Sequence, residues 1–377
     1  MKKRWLQILV IGVIFIFNAC EENLKLKKDD IPIELQPYEK QVEFVTENLK
    51  VVGQSVLSMA NDPEFREIVY QQIEKRVDGD DNVLIETLSK IQMANQTSVG
   101  ARMNNMTKME GAIEQALNKF RGIEGRDFYP QIYIPFYEEA KERRLANPLA
   151  KEALVAEDPV VVLYAGDETQ TVYTGYMLND SGELTESTLE IDEEYAVNNE
   201  VWVISLNERI DDIDEAANST AGTLASPSAL IDKIRIKCHK ESWLAGASEV
   251  NIITFISDYR FYDLHFEDYG GGDHEGGRIY KFSRSSVRYE SMKDINFYIY
   301  GHWDSKRPNA PYAHYVIFEY DIWPTRKRTA EWEQGGDKLT WEYRSSDGFY
   351  DKNTVYKTNF WPYHVNNGCI EWFGLYQ

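Results

Sequence analysis

The chain has 377 residues, and 62 aspartates and glutamates outweigh 41 lysines and arginines to give a net charge of −21. Phosphate backbones are held by lysine and arginine, so this balance excludes nucleic acid as a partner. The length exceeds what one core usually holds, and about 150 residues per domain predicts two or three domains.

In chain order, Lys2, Lys3 and Arg4 precede an apolar run from Trp5 to Phe17 broken by Gln7 and Gly12, the layout of a secretory signal. A helix of about 13 residues spans about 20 Å, short of a hydrocarbon core of about 30 Å, which predicts a cleaved leader over residues 1–19. Phe17-Asn18-Ala19-Cys20 resembles the lipobox of bacterial lipoproteins, where a small residue precedes a cysteine that is acylated and becomes the new N-terminus. That family usually has Leu three before the cysteine and a small residue two before it; here stand Phe17 and Asn18. Glu21 and Glu22 resemble the acidic tract that sends lipoproteins of Bacteroidota-type bacteria to the outer face of the outer membrane. The resemblance covers residues 1–22. It implies lipidation at Cys20, the membrane as a partner, and a place in the bacterial envelope, at the outer membrane and exposed on its surface. A single acyl chain binds marginally and each buried CH₂ adds about 0.8 kcal/mol, so a three-chain anchor is essentially permanent. The alternative is an ordinary leader followed by a chance cysteine.

Residues 20–37 are polar and charged and end at a proline, as a tether does. Over 38–122 the pattern is helical. Tyr38, Val42, Val45, Leu49, Val52 and Val56 form one stripe, and Asp62-Pro63-Glu64 caps a second helix. Val83, Leu84, Leu88 and Ile91 predict a third, Met109 to Phe120 a fourth, and Asn95 to Asn105 a loop. A helical bundle is expected, with Met93, Met103, Met106 and Met109 either filling its core or forming an adaptable face.

Residues 123–215 predict a mixed α/β sheet region, with strands at Gln131–Phe136, Pro159–Tyr164, Thr171–Leu178 and Val201–Leu206 and a charged helix at Glu138–Leu145. Residues 216–230, rich in Ala, Ser, Thr and Gly, predict a linker.

Residues 231–377 predict an aromatic-rich antiparallel β-sandwich, completing a multidomain α+β chain. From residue 242 onward stand 31 of the 49 Phe, Trp and Tyr, an excess that points to an aromatic core or to ring-lined binding loops. Apolar runs fall at Val250–Ile256, Ile279–Phe282, Ile295–Tyr300, Tyr315–Ile322, Leu339–Tyr343 and Cys369–Leu375. Ile234–Cys238, Glu249–Phe255 and Phe318–Trp323 loosely resemble strands of C2-type sandwiches; no calcium is assigned on that likeness. Cys238 and Cys369 either pair across this domain or stay as free buried thiols.

Candidate chemistry is sparse. The six histidines include no pair four apart with a glutamate between, as a zinc protease needs, and there is no G-x-S-x-G. His265, Asp268, Asp273, His274 and Glu275, around Gly270-Gly271-Gly272, form either a calcium or zinc site or a solvated polar loop. No other cofactor is expected. Trp303, beside His302 and Asp304, and Trp361, before Pro362, are the rings best placed to meet a glycan or protein ligand, although most tryptophans here belong to the core. The chain therefore reads as a lipid-anchored binding or adhesion module on a helical spacer, without an assigned catalytic centre. A surface or secreted hydrolase and a structural subunit of an envelope assembly are the alternatives.

Overall fold

A computed structural model describes residues 32–77, 80–107, 111–123, 125–146, 159–166, 170–207, 229–238, 242–246, 248–258, 261, 264–266, 277–282, 284–300, 309–320, 323–324, 326–345, 349–356 and 363–376. The protein is mixed α+β, with several antiparallel sheets. None of the described helices is long and apolar enough to cross a membrane.

A 3₁₀ turn at Ile33–Leu35 leads into the longest described helix, α1 (Tyr38–Ala60), with Pro37 at its N-cap. The predicted stripe is its buried face: Val45, Leu49, Val52 and Val56 are wholly enclosed. Each such side chain contributes roughly 1.5–3 kcal/mol on burial. Helix α2 (Pro63–Ile73) starts as predicted, with the Asp62 carboxylate accepting from the Glu64 N–H at 2.9 Å and Pro63 in its first turn.

Two local expectations are corrected. The predicted third helix is a strand, β1 (Asn82–Leu84), followed by a short helix, α3 (Ile85–Ser89), because pairing with β2 (Tyr129–Tyr133) claims the first residues. The predicted loop at Asn95–Asn105 is largely helix α4 (Val99–Thr107), which buries Val99, Gly100 and Met103. Packing overrides weak local propensity here. Helix α5 (Ala112–Asn118) follows, and α6 (Tyr137–Ala146) leaves the end of β2.

Strands β3 (Val160–Leu163), β4 (Tyr173–Leu178) and β5 (Leu184–Ile191), helix α7 (Glu193–Asn198) and strand β6 (Val201–Asn207) complete this region. The sheet order is β1-β2-β6-β3-β4-β5, antiparallel except for β3 with β6. Its central strands are covered on both faces. Trp202 and Ile204 share one apolar cluster with α1, α2 and α5, while Val201 and Val203 face a second with Tyr173, Trp243 and Leu244. A strand covered twice reads as a continuous apolar run, as Val201–Leu206 does. The helices are thus not a free-standing bundle, because the partner for their apolar face is the sheet.

The remaining strands are β7 (Ala229–Ile236), β8 (Ser248–Ser257), β9 (Leu264–Phe266), β10 (Gly277–Phe282), β11 (Lys293–Tyr300), β12 (Tyr312–Glu319), β13 (Arg326–Gln334), β14 (Asp337–Ser345), β15 (Phe349–Tyr356), β16 (Tyr363–Asn366) and β17 (Ile370–Tyr376), with helix α8 (Arg284–Arg288) between β10 and β11. One sheet runs β10-β8-β12-β15 with β9 also on β8, and another runs β11-β7-β17-β16. They share one core, in which Ile231, Ile234, Phe297 and Trp372 meet Val250, Ile252, Tyr315 and Ile317. The β13–β14 hairpin covers the other face of the first sheet, setting Ala330, Trp332 and Tyr343 on Phe255, Val316 and Phe318.

This C-terminal region grips the N-terminal sheet from both sides. Trp243 and Leu244 close the face carrying Tyr173, with the Tyr173 hydroxyl 2.7 Å from Ser242 Oγ. Trp323 enters the helix-side core, its ring 5.6 Å from that of Phe128 and 6.2 Å from that of Phe44.

Candidate functional site

Beside the place where Trp323 docks, the start of α1 and the opening of β13 line a half-open cleft of about 350 Å³. The turn before α1 supplies Glu34, α1 supplies Tyr38 and Gln41, and the opening of β13 supplies Arg326 and Lys327. Gln41 sits one turn into the helix and its amide reaches back, Nε2 donating to the carbonyls of Gln36 at 2.8 Å and Glu34 at 3.3 Å. That fastens the turn to the helix and commits both amide hydrogens. The Tyr38 hydroxyl donates to the Gly166 carbonyl at 2.7 Å, and the Arg326 guanidinium lies 4.2 Å from the centre of the Tyr38 ring. Gly166 has φ +88°, and a Cβ there would stand 3.3 Å from Pro324, so a side chain would push the docking segment away.

Three polar clusters lie in the C-terminal region. Between its sheets, Asp351 Oδ2 accepts from the Tyr315 hydroxyl at 2.7 Å and the Trp372 indole at 3.3 Å. Asn367 Nδ2 donates to Oδ1 at 3.4 Å. A register shift in β15 lets neighbouring Tyr350 reach Glu319, which also accepts from the Glu249 N–H at 2.6 Å. Burial and the adjacent carboxylate push the Tyr315 phenol far above its ordinary range. These carboxylates are enclosed and held by neutral donors, an arrangement that fixes the core.

Under the hairpin, His314 Nε2 lies 2.6 Å from Ser257 Oγ and Nδ1 lies 2.8 Å from Thr354 Oγ1. Such a serine–histidine contact would suit a nucleophile and its base. Yet Ser257 and His314 are both 0 % exposed, and the imidazole stacks on Phe255 at 4.7 Å, so no substrate reaches the pair. Burial lowers the imidazole to about 3, which keeps it neutral.

On the outer face of the other sheet, Glu371 receives Lys237 at 2.8 Å, Arg235 at 2.5 Å and His364 at 2.9 Å. Hydrogen bonds from Lys237 and Arg235 hold its carboxyl down to about 2.

The structure brings Cys238 and Cys369 together as a disulfide, with Cα atoms 4.9 Å apart. His265 lies on β9, its backbone paired with Ile256. Cys20, Asp268, Asp273, His274, Glu275, Trp303 and Trp361 lie outside the described residues. Trp323, Trp332 and Trp372 are buried, as are Met93 and Met103. Gln41 and Arg326 carry no motif, and only folding brings them to one cavity. No family model, curated protein or solved structure matches the chain.

Proposed function

We propose that the chain is a lipid-anchored protein of a bacterial cell envelope, fixed through Cys20 and presenting its folded body as a binding or adhesion module. The observation that carries this reading is the succession of Lys2 to Arg4, the apolar run to Phe17, and Ala19-Cys20-Glu21-Glu22. Residues 20–31, ahead of the described body, suit a tether, and at about 3.3–3.6 Å per residue they let the body stand up to about 40 Å from the bilayer. In this reading residues 231–377 are a β-sandwich module with a hairpin on one outer face, and the helix-covered sheet is the platform that carries it. The cavity between them supports binding, because ligand sites concentrate where two packed regions meet.

Fractionation tests the reading. Wild type expressed in a bacterium should partition with the membrane and be cut by protease added to whole cells. Cys20→Ala should leave the membrane fraction. Equal partition of the two forms would remove the anchor from the account.

A further inference from the structure

The last strand of the N-terminal sheet leaves an edge open. Strand β5 is eight residues long and pairs with β4 alone among the described residues, so a row of its backbone donors and acceptors faces outward. Open edges invite foreign strands, and the other described edges are either three or four residues long or carry a lysine or arginine, as β11 does at Lys293 and β15 at Lys352. β5 has no cation and no proline. It also lies in a stretch of one-sided charge. Between Lys151 and Arg209 stand 57 residues with 14 aspartates and glutamates and no lysine, arginine or histidine. Glu186 and Glu190 are exposed on β5, and Glu194 is exposed on the helix that follows. Lys50 on α1 brings its charge near Glu186 but is bonded to Glu47 at 2.7 Å. The strand is bulged: Ser187, Thr188 and Leu189 stand opposite Gly175 alone, while Leu184–Glu186 keeps regular register with Tyr176–Leu178. Leu189, in the bulge, is 38 % exposed.

From these features we infer that the β5 edge takes up an extended, basic segment of a partner protein as an added strand. The backbone of that segment pairs along Leu184–Glu186, its lysines or arginines meet Glu186 and Glu190, and an apolar side chain covers Leu189. Charge selects the occupant. A second copy of this chain would set glutamate against glutamate on the same edge, and like charges directly opposite destabilise a strand pair. A basic segment meets only opposite charge there, which favours encounter and rejects acidic competitors. This deepens the reading of the body as a binding module and rests on it, but does not depend on lipidation. A failed membrane-partition test would leave the edge site standing, and a failed peptide titration would leave the anchor standing.

The probe is a fluorescent synthetic peptide that alternates lysine with valine, titrated by anisotropy into the detergent-purified full chain at physiological salt. Two further peptides separate charge from strand pairing. One replaces lysine by glutamate; the other keeps lysine but has every peptide nitrogen methylated, so it carries the charge without backbone donors. The lysine–valine peptide should bind at least about tenfold tighter than either. Glu186→Gln combined with Glu190→Gln should weaken it at least about tenfold. Glu331→Gln combined with Glu342→Gln, exposed acids of the β13–β14 hairpin, should change nothing. Hydrogen exchange should slow at Leu184–Glu186 in the complex and stay unchanged in β13. Equal binding of the methylated peptide would reduce the effect to bulk charge and overturn the inference. So would equal weakening by the hairpin pair, unaltered affinity in the Glu186 and Glu190 double variant, or no binding of the lysine–valine peptide.

Discussion

In the N-terminal sheet most buried polar side chains are amides and hydroxyls. Gln131 donates to Ser205 and accepts from Asn207, each bond within 3.0 Å, and on α2 the buried guanidinium of Arg66 donates to the Ala60 carbonyl. In the C-terminal sheets the corresponding places are taken by ionisable groups: His314, Glu319 and Asp351. Both regions pair most of these groups, and in the second the buried His314 makes hydrogen bonds that change with pH. Apolar volume holds the first region; the second also depends on protonation states, and tryptophans join the two.

The joint gives the largest expected effect. Trp323→Ala should destabilise the protein by about 3–5 kcal/mol, as large-to-small core changes do, and split one denaturant transition into two. Trp323→Phe should cost much less, since the buried indole N–H has no partner among the described residues to lose. Chemical denaturation followed by fluorescence and circular dichroism reads both. A single unshifted transition in Trp323→Ala would dissolve the comparison, because the regions would then not be coupled through this ring.

Next comes acid. The imidazole of His314 titrates at about 3 in the folded protein against 6.5 unfolded, so between those values the unfolded chain binds the extra proton. The stability from keeping it neutral is complete above 6.5 and is lost as pH falls toward 3, about 2 kcal/mol of it between pH 7.5 and 5. His314→Gln should remove that slope while N-terminal variants keep it. Denaturation midpoints across this range decide the matter; an equal slope in His314→Gln would assign it elsewhere.

The smallest effect sharpens the contrast. Asp351→Asn offers one acceptor in place of two and turns an amide toward Asn367, so it should cost about 1–3 kcal/mol. Gln131→Glu should place a buried carboxyl in the N-terminal sheet and so steepen that region's dependence on pH. Thermal melts at pH 7 and 5 measure both.

How far these features were legible differs between them. Helix α1 was readable because its apolar residues fall at alternating four and three spacing, a pattern set by its own geometry. β1 was not, since Val83, Leu84, Leu88 and Ile91 fit a helix until β2 claims the first two. β13 was missed because Arg326-Lys327-Arg328 hides an alternation that places Ala330 and Trp332 on the buried face. Trp323 was visible as an aromatic, but spacing says nothing of a partner at the other end of the chain. The cavity follows the same rule, since Gln41 interrupts a stripe and Arg326 opens a charged strand, and neither has meaning until the two ends meet. Polar core residues were hardest, because His314 and Asp351 look like surface residues in a strand until their donors and acceptors are in place.

The central claim is that this body hangs from the membrane by its twentieth residue. It is tested most directly by the mass of the N-terminal proteolytic fragment of protein extracted from bacterial membranes. The account predicts a fragment beginning at Cys20 and carrying acyl mass that is absent from Cys20→Ala. A fragment that begins at any other residue, or at Cys20 with a free thiol and no acyl mass, would contradict it.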